Sequence, residues 1–123
     1  MENSSVKKIE LENKQTLVIS DMSRKISEDA YVVIMKAGIE IQIKRELFVD
    51  DPQSDFKFQD ILATLGDKVL YEYTIERNFI MANEKEKVFE MLVNFYMDNL
   101  GQYVAKSTFP GKFVLKKYKD KTK

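Results

Sequence analysis

The sequence predicts an α+β fold: an antiparallel sheet of about four to five strands, one of them long and bent, with a short helix and a longer C-terminal helix packed on one face. Three observations carry that expectation. Between residues 31 and 43, Tyr31, Val33, Met35, Ala37, Ile39, Ile41 and Ile43 hold every odd position, while Lys36, Glu40, Gln42 and Lys44 alternate with them. That is the period of a strand with one buried and one wet face. From residue 84 to residue 104 apolar side chains recur at three- and four-residue spacing, as on the inner stripe of a helix. The strands also alternate in polarity where buried parallel strands read as unbroken apolar runs, so the sheet is antiparallel with helices to one side.

Each element follows from local chemistry. Ile9 and Leu11 stand among charges, "TLVIS" at 16–20 is short and β-branched, and a turn at "ENKQ" joins the two segments as a hairpin. The polar "SDMSRKISED" is expected to be a loop. The long strand, about 14 residues against a usual 5 to 6, calls for a bend or bulge, and Gly38 is the least costly place for it. Acids around Pro52 in "ELFVDDPQSDFKFQD" mark a solvated loop. Phe58, Ile61, Leu62 and Leu65 then share one stripe of a short helix that Gly66 is placed to end. "KVLYEYTIERNF" resumes alternation, with Val69, Tyr71, Tyr73 and Ile75 on one face and Glu72, Thr74 and Glu76 on the other.

The longer helix is expected to start at Asn83, an N-cap candidate with Glu86 three residues on. Its inner stripe reads Val88, Met91, Leu92, Phe95, Tyr96, Leu100, Tyr103 and Val104, with Glu86, Lys87, Glu90, Asn94 and Asp98 opposite. Gly101 either ends the helix or is tolerated within it at about 1 kcal/mol, which puts the end between 100 and 105. "STFPG" is expected to break the chain, leaving "KFVLKKY" as a short edge strand or an extended segment on the core.

Composition bounds the function. A chain of 123 residues is one domain, 1–123, with a basic C-terminal segment at 112–123. With 44% apolar residues, eight Phe and six Tyr, it has the large side chains a packed core needs. Zero net charge removes a global field toward nucleic acid or an anionic membrane. The chain has no cysteine, "MENSSVKKIELENK" holds no apolar run, and "AYVVIM" falls well short of the roughly 20 residues that span a bilayer. A cytoplasmic protein, not integral to a membrane, is expected. The absence of histidine removes the usual base near neutral pH, the Ser/His/Asp and Cys/His arrangements, and imidazole metal sites. Glycines at 38, 66, 101 and 111 alone leave no phosphate-cradling loop. No cofactor and no resident metal are expected, and the balance leans away from an enzyme.

The remaining candidates are carboxylates and phenols. Asp51, Gln53 and Asp55 match the first ligand spacings of a calcium loop, but Phe56 stands where the turn needs glycine and Leu62 where a bidentate glutamate belongs. An acidic surface loop is the reading. Glu76 and Arg77, on opposite faces of a continuing strand, read as a surface pair or strand end. An enzyme built on Asp, Glu, Tyr or Lys would need a concave pocket gathering Tyr71, Tyr73, Tyr96 or Glu76.

Two resemblances add to this. Asp21 and Ser23 resemble the start of the D-x-S-x-x-G element of PilZ domains, which bind a cyclic dinucleotide on a small β-barrel. Here Ile26 replaces the glycine, and the arginine pair that clamps the phosphates has no counterpart. Through "SRKISEDAYVV", "ERNFI" and "FPGKFVLKKY" the chain also resembles small uncharacterised bacterial proteins of unknown function. That resemblance implies a bacterial, one-domain protein and assigns no residue a role.

The last twelve residues hold six lysines and one acid. Two function classes follow. The first is a non-catalytic interaction or binding module with a protein partner or a second copy, using a sheet edge or the late helix, whose stripe Phe89 and Met97 widen beyond one core contact. The second is an anion or RNA binder acting through Lys112, Lys116, Lys117 and Lys119. Against it stand the three arginines of the whole chain and the commoner role of a charge run as a solvated face, with Phe113, Leu115 and Tyr118 pinning the segment to the core.

Overall fold

The computed structural model describes residues 6–48 and 58–122, and they form the expected α+β arrangement. The five antiparallel strands are β1 (Val6–Glu10), β2 (Thr16–Asp21), β3 (Arg24–Ser27), β4 (Ala30–Gln42) and β5 (Lys68–Met81). The helices are α1 (Phe58–Leu65), α2 (Lys85–Tyr96), the single turn α3 (Gln102–Val104) and α4 (Phe109–Lys121). β4 is the centre of the sheet. β2 and β3 share one of its sides, β5 takes the other from Ala30 to Gln42, and β1 lies outside β2. The acidic loop, with the calcium-like Asp51, Gln53, Asp55 and Phe56, lies outside the described residues.

The period-two reading of β4 holds. Val33, Met35, Ala37, Ile39 and Ile41 are sealed from water, each large aliphatic side chain contributing about 1.5–3 kcal/mol by burial. Phe89, Leu92, Val93 and Tyr96 of α2, Val104, and Phe109 and Val114 of α4 cover this face, and Ile61 of α1 completes the cluster. The opposite face carries a ladder of charges, including Lys36–Glu72 at 2.8 Å and Lys68–Glu40 at 3.7 Å. α1 ends as expected: Gly66 has φ 85°, and its N–H bonds to the carbonyl of Leu62 at 2.8 Å.

Four expectations are corrected. The segment after β2 is not a loop but contains β3, because β4 outruns β2 and offers unpaired backbone from Ala30 to Val32. Its polar composition misled because all four β3 side chains face water. Polar groups stitch the junction: Asp21 Oδ1 accepts from the Ser23 N–H at 2.9 Å, and Ser23 Oγ accepts from the Ile34 N–H at 3.0 Å. Asp21 and Ser23 thus have a structural employment.

The bulge is not at Gly38, which pairs in register with both Val18 and Glu72. It lies in β5, where two steps on β4 from Tyr31 to Val33 oppose three on β5 from Ile80 to Arg77. Phe79 occupies it with φ 56°, the left-handed conformation of a bulge residue.

Asn83 is not an N-cap. β5 runs to Met81 and a 3₁₀ turn at Ala82–Glu84 leads straight into α2, whose N-cap position is Glu84 without a side-chain capping bond. At Gly101 the second of the two outcomes left open holds: the glycine is tolerated, and the chain continues through a π-turn at Met97–Gly101 into α3, whose end at Val104 falls within the expected 100–105.

The C-terminal segment is neither strand nor extended chain but α4. Pro110 sits in the first turn, where its missing N–H costs no helical hydrogen bond. Val114 and Leu115 are buried, and Phe113 and Tyr118 pack against the core. At Gly111 the helix crosses the 3₁₀ turn at Arg45–Phe48 so closely that a methyl group would collide with the Leu47 carbonyl oxygen.

Candidate functional site: the β5 edge and the flank of α2

A run of 14 residues without glycine or proline builds β5, and β4 is its sole partner strand among the described residues. The other side of β5 is a sheet edge, carrying backbone N–H and C=O groups that no described strand pairs. Its helix-side residues are aromatic and β-branched. Tyr73 stacks obliquely on Tyr96, with ring centroids 5.6 Å apart, and Tyr71 meets Phe109 and Phe113 edge-on at 5.4 and 5.6 Å.

The rotation of α2 decides what lies beside this edge. The sequence places Met91 and Phe95 inside and Phe89 on a spare flank; the structure buries Phe89, with Leu92, Val93 and Tyr96, and leaves Met91 59% and Phe95 50% exposed. Burial of Phe89, Leu92, Val93 and Tyr96 sets the orientation, and an ion pair marks it. Lys7, opposite Ile19 and so on the helix-bearing face of β1, reaches Glu90 at 3.2 Å. At about 100° per residue, Glu90 and Phe95 fall on opposite flanks of the buried stripe. With Glu90 turned to β1, the flank of Val88, Met91 and Phe95 faces the β5 side of the sheet. Tyr73, 39% exposed, lies on the helix side of β5 against Tyr96, and Tyr103 of α3, 54% exposed, meets Phe109 edge-on at 5.3 Å.

The two interface residues expected from sequence therefore serve the interior. Phe89 is 5% exposed and Met97, half-buried in the π-turn, packs its Sδ and Cε over Gly101. The expected lysines are all exposed on α4. Helical register lines up Lys112, Lys116 and Lys119, whereas Lys117 turns aside and lies 5.5 Å from the centre of the Phe113 ring.

Tyr71, Tyr73 and Tyr96 do converge, but on packed rings. The Tyr71 and Tyr96 hydroxyls share a hydrogen bond at 3.0 Å. Burial, the largest cause, pushes both phenols above their ordinary value of 10, so both stay protonated and neither is a base or nucleophile at neutral pH. Glu76 is exposed on the opposite face of β5.

A cleft of about 730 Å³ opens elsewhere, where β2 and β4 part beyond the Val18–Gly38 pair. The β1–β2 turn, the end of β4 and the start of α4 line it, and Lys14, Lys44 and Lys112 alternate with Glu40 and Glu46, so it has no single sign of charge. Asn13 in its wall is committed to structure: its Nδ2 donates to the carbonyls of Val104 and Lys106 at 2.9 and 2.8 Å. No described cluster of three or more acidic, histidine or cysteine side chains is placed to hold a metal ion. No described helix is long and apolar enough to cross a membrane.

No protein family, curated protein or solved structure matches the chain. Geometry alone carries the functional reading.

Proposed function

We propose that the protein is a non-catalytic interaction module that binds a protein partner along the β5 edge and the adjoining α2 flank. One observation carries this reading: among the described residues the longest unpaired edge of the sheet belongs to β5, and the flank of α2 turned away from β1 leaves Met91 and Phe95 exposed. Unpaired backbone supplies affinity by strand addition, and alternate apolar side chains supply specificity. The cytoplasm is part of the reading, and a chain that holds no disulfide is compatible with it. The test is photo-crosslinking in cells that make the protein natively, with p-benzoylphenylalanine in place of Phe95 and, as control, in place of Lys8 on the charged face. A discrete adduct from position 95 and none from position 8 is expected. Absence of an adduct from position 95 sinks the proposal.

A second reading, anion or RNA binding, is favoured by the alignment of Lys112, Lys116 and Lys119 on α4. Deleting the segment would remove Val114 and Leu115 from the core, so charge reversal is the cleaner test. The reading predicts that Lys112→Glu with Lys116→Glu lowers affinity for single-stranded RNA and flattens its salt dependence. Unchanged anisotropy titrations eliminate it.

A further inference from the structure

We infer that the partner at this surface is a second copy of the chain, joined by antiparallel pairing of β5 with β5 about a two-fold axis at Tyr73. The inference rests on the interaction-surface reading and names its occupant.

The register follows from charge and length. A two-fold axis perpendicular to the sheet keeps all helices on one face and sets one residue opposite its own copy. Centred on Glu72, the pairing opposes two carboxylates; centred on Thr74, it opposes Glu72 and Glu76 twice. Centred on Tyr71, it leaves Ile75, Glu76 and Arg77 beyond the partner's first strand residue, Lys68; centred on Ile75, it drives Tyr71 against the bulge at Phe79. Centred on Tyr73, it matches Val69 with Arg77, Leu70 with Glu76, Tyr71 with Ile75, and Glu72 with Thr74. No like charges meet. Aromatic and β-branched residues pair on the helix side, and the ladder uses the stretch of β5 before the bulge.

Spacing supports the same arrangement. α2 packs on both β4 and β5. With strands about 4.8 Å apart, the two copies of α2 across a β5–β5 junction stand about 10 Å from each other. Packed helices have interaxial distances of about 8–10 Å. The flanks that meet carry Met91 and Phe95, so the contact covers the apolar surface that the monomer leaves wet. Both copies use β5, which closes the assembly at two and leaves the short β1 strands at its outer ends.

Three measurements on the purified full chain test this. Sedimentation velocity is expected to show a dimer for the natural sequence. Met91→Glu with Phe95→Glu, both at exposed positions, is expected to weaken dimerisation at least 100-fold with the circular dichroism spectrum retained. Because the chain has no cysteine, Tyr73→Cys reports the register directly: oxidation is expected to link two copies through position 73 far more fully than Glu76→Cys links them through position 76. A monomer at every concentration overturns the inference. So does a dimer that withstands the paired glutamates, or one linked better through position 76. The photo-adduct separates the two claims: an adduct of twice the 14.4 kDa chain mass supports self-pairing, an adduct of another mass overturns self-pairing alone, and no adduct overturns both.

Discussion

At one edge of the sheet β1 presents five residues, and its Lys7 reaches up to Glu90 and ties the edge to the helical layer. At the other edge β5 presents fourteen, with no such ion pair among the described residues on the near flank of α2, where Met91 and Phe95 are exposed. Proteins blunt edge strands by shortening them or by placing charges where another strand would dock. β1 shows both devices. β5 shows a bulge at Phe79, which bends its far end, while the stretch from Lys68 to Arg77 stays regular. The difference teaches that the two edges are built differently, and under the proposed self-pairing one terminates the sheet while the other continues it.

The contrast has a stability side, which mutations sharpen or break. The largest effect is expected at Tyr96, fully buried where α2 meets β5. Tyr96→Ala should destabilise the fold by about 3–5 kcal/mol in urea titrations, as truncation of a large aromatic does. A loss below about 1 kcal/mol would mean that this junction is not the anchor of the β5 edge.

Next is the phenol pair. Tyr71→Phe should cost about 1–3 kcal/mol by leaving the Tyr96 hydroxyl buried without its partner, and adding Tyr96→Phe should recover part of the loss. The pair also confers an alkaline sensitivity. Unfolded tyrosines lose their protons near pH 10, whereas burial holds Tyr71 and Tyr96 protonated in the fold. Above pH 10 the unfolded state then binds fewer protons, so the stabilisation present in full below that pH is lost as pH rises toward the folded values. Melting temperatures measured from pH 8 to about 11 should fall less steeply in the doubly substituted protein. Parallel slopes would show that the pair does not govern the alkaline limb.

A smaller gain is expected at the bulge. Phe79→Gly relieves a left-handed backbone at a residue 75% exposed and should stabilise the monomer by about 1 kcal/mol. No gain would indicate that Phe79 makes compensating contacts in the fold.

The smallest effect belongs to the β1 edge. Lys7→Met breaks a pair whose side chains are 45% and 54% exposed, and it should change stability by less than about 0.5 kcal/mol, vanishing in high salt. A cost equal to that of Tyr71→Phe would erase the distinction between the edges.

Much of the fold was legible because its signals are local. The odd positions of β4, the hairpin of β1 and β2, and Gly66 at the end of α1 each follow from the period or turn chemistry of a few residues. α4 was misread although a signal was present: Pro110 interrupts a helix only from its interior, and in the first turn it starts one. β3 was misread because its side chains face water, while its strand character comes from the unpaired backbone of β4.

The site was half legible. A proline-free and glycine-free β5 with alternating polarity was visible, but its position at an edge was not. For α2 the apolar arc is so wide that Phe89 with Val93 and Met91 with Phe95 are both plausible inner residues at helical spacing. Packing against residues of β2 and β4, far away in the chain, selects between them, and Lys7 paired with Glu90 marks the outcome.

The sequence by itself determined which segments alternate, which are amphipathic, and which chemistries are absent, because side-chain period and residue inventory are properties of neighbours along the chain. Only the tertiary structure decided which strand ends the sheet, which flank of α2 stays wet, and that the lysine-rich segment is a helix seated on the core. Those outcomes depend on backbone pairing and packing between residues far apart in the chain, for which short-range patterns supply several solutions and the closed core admits one.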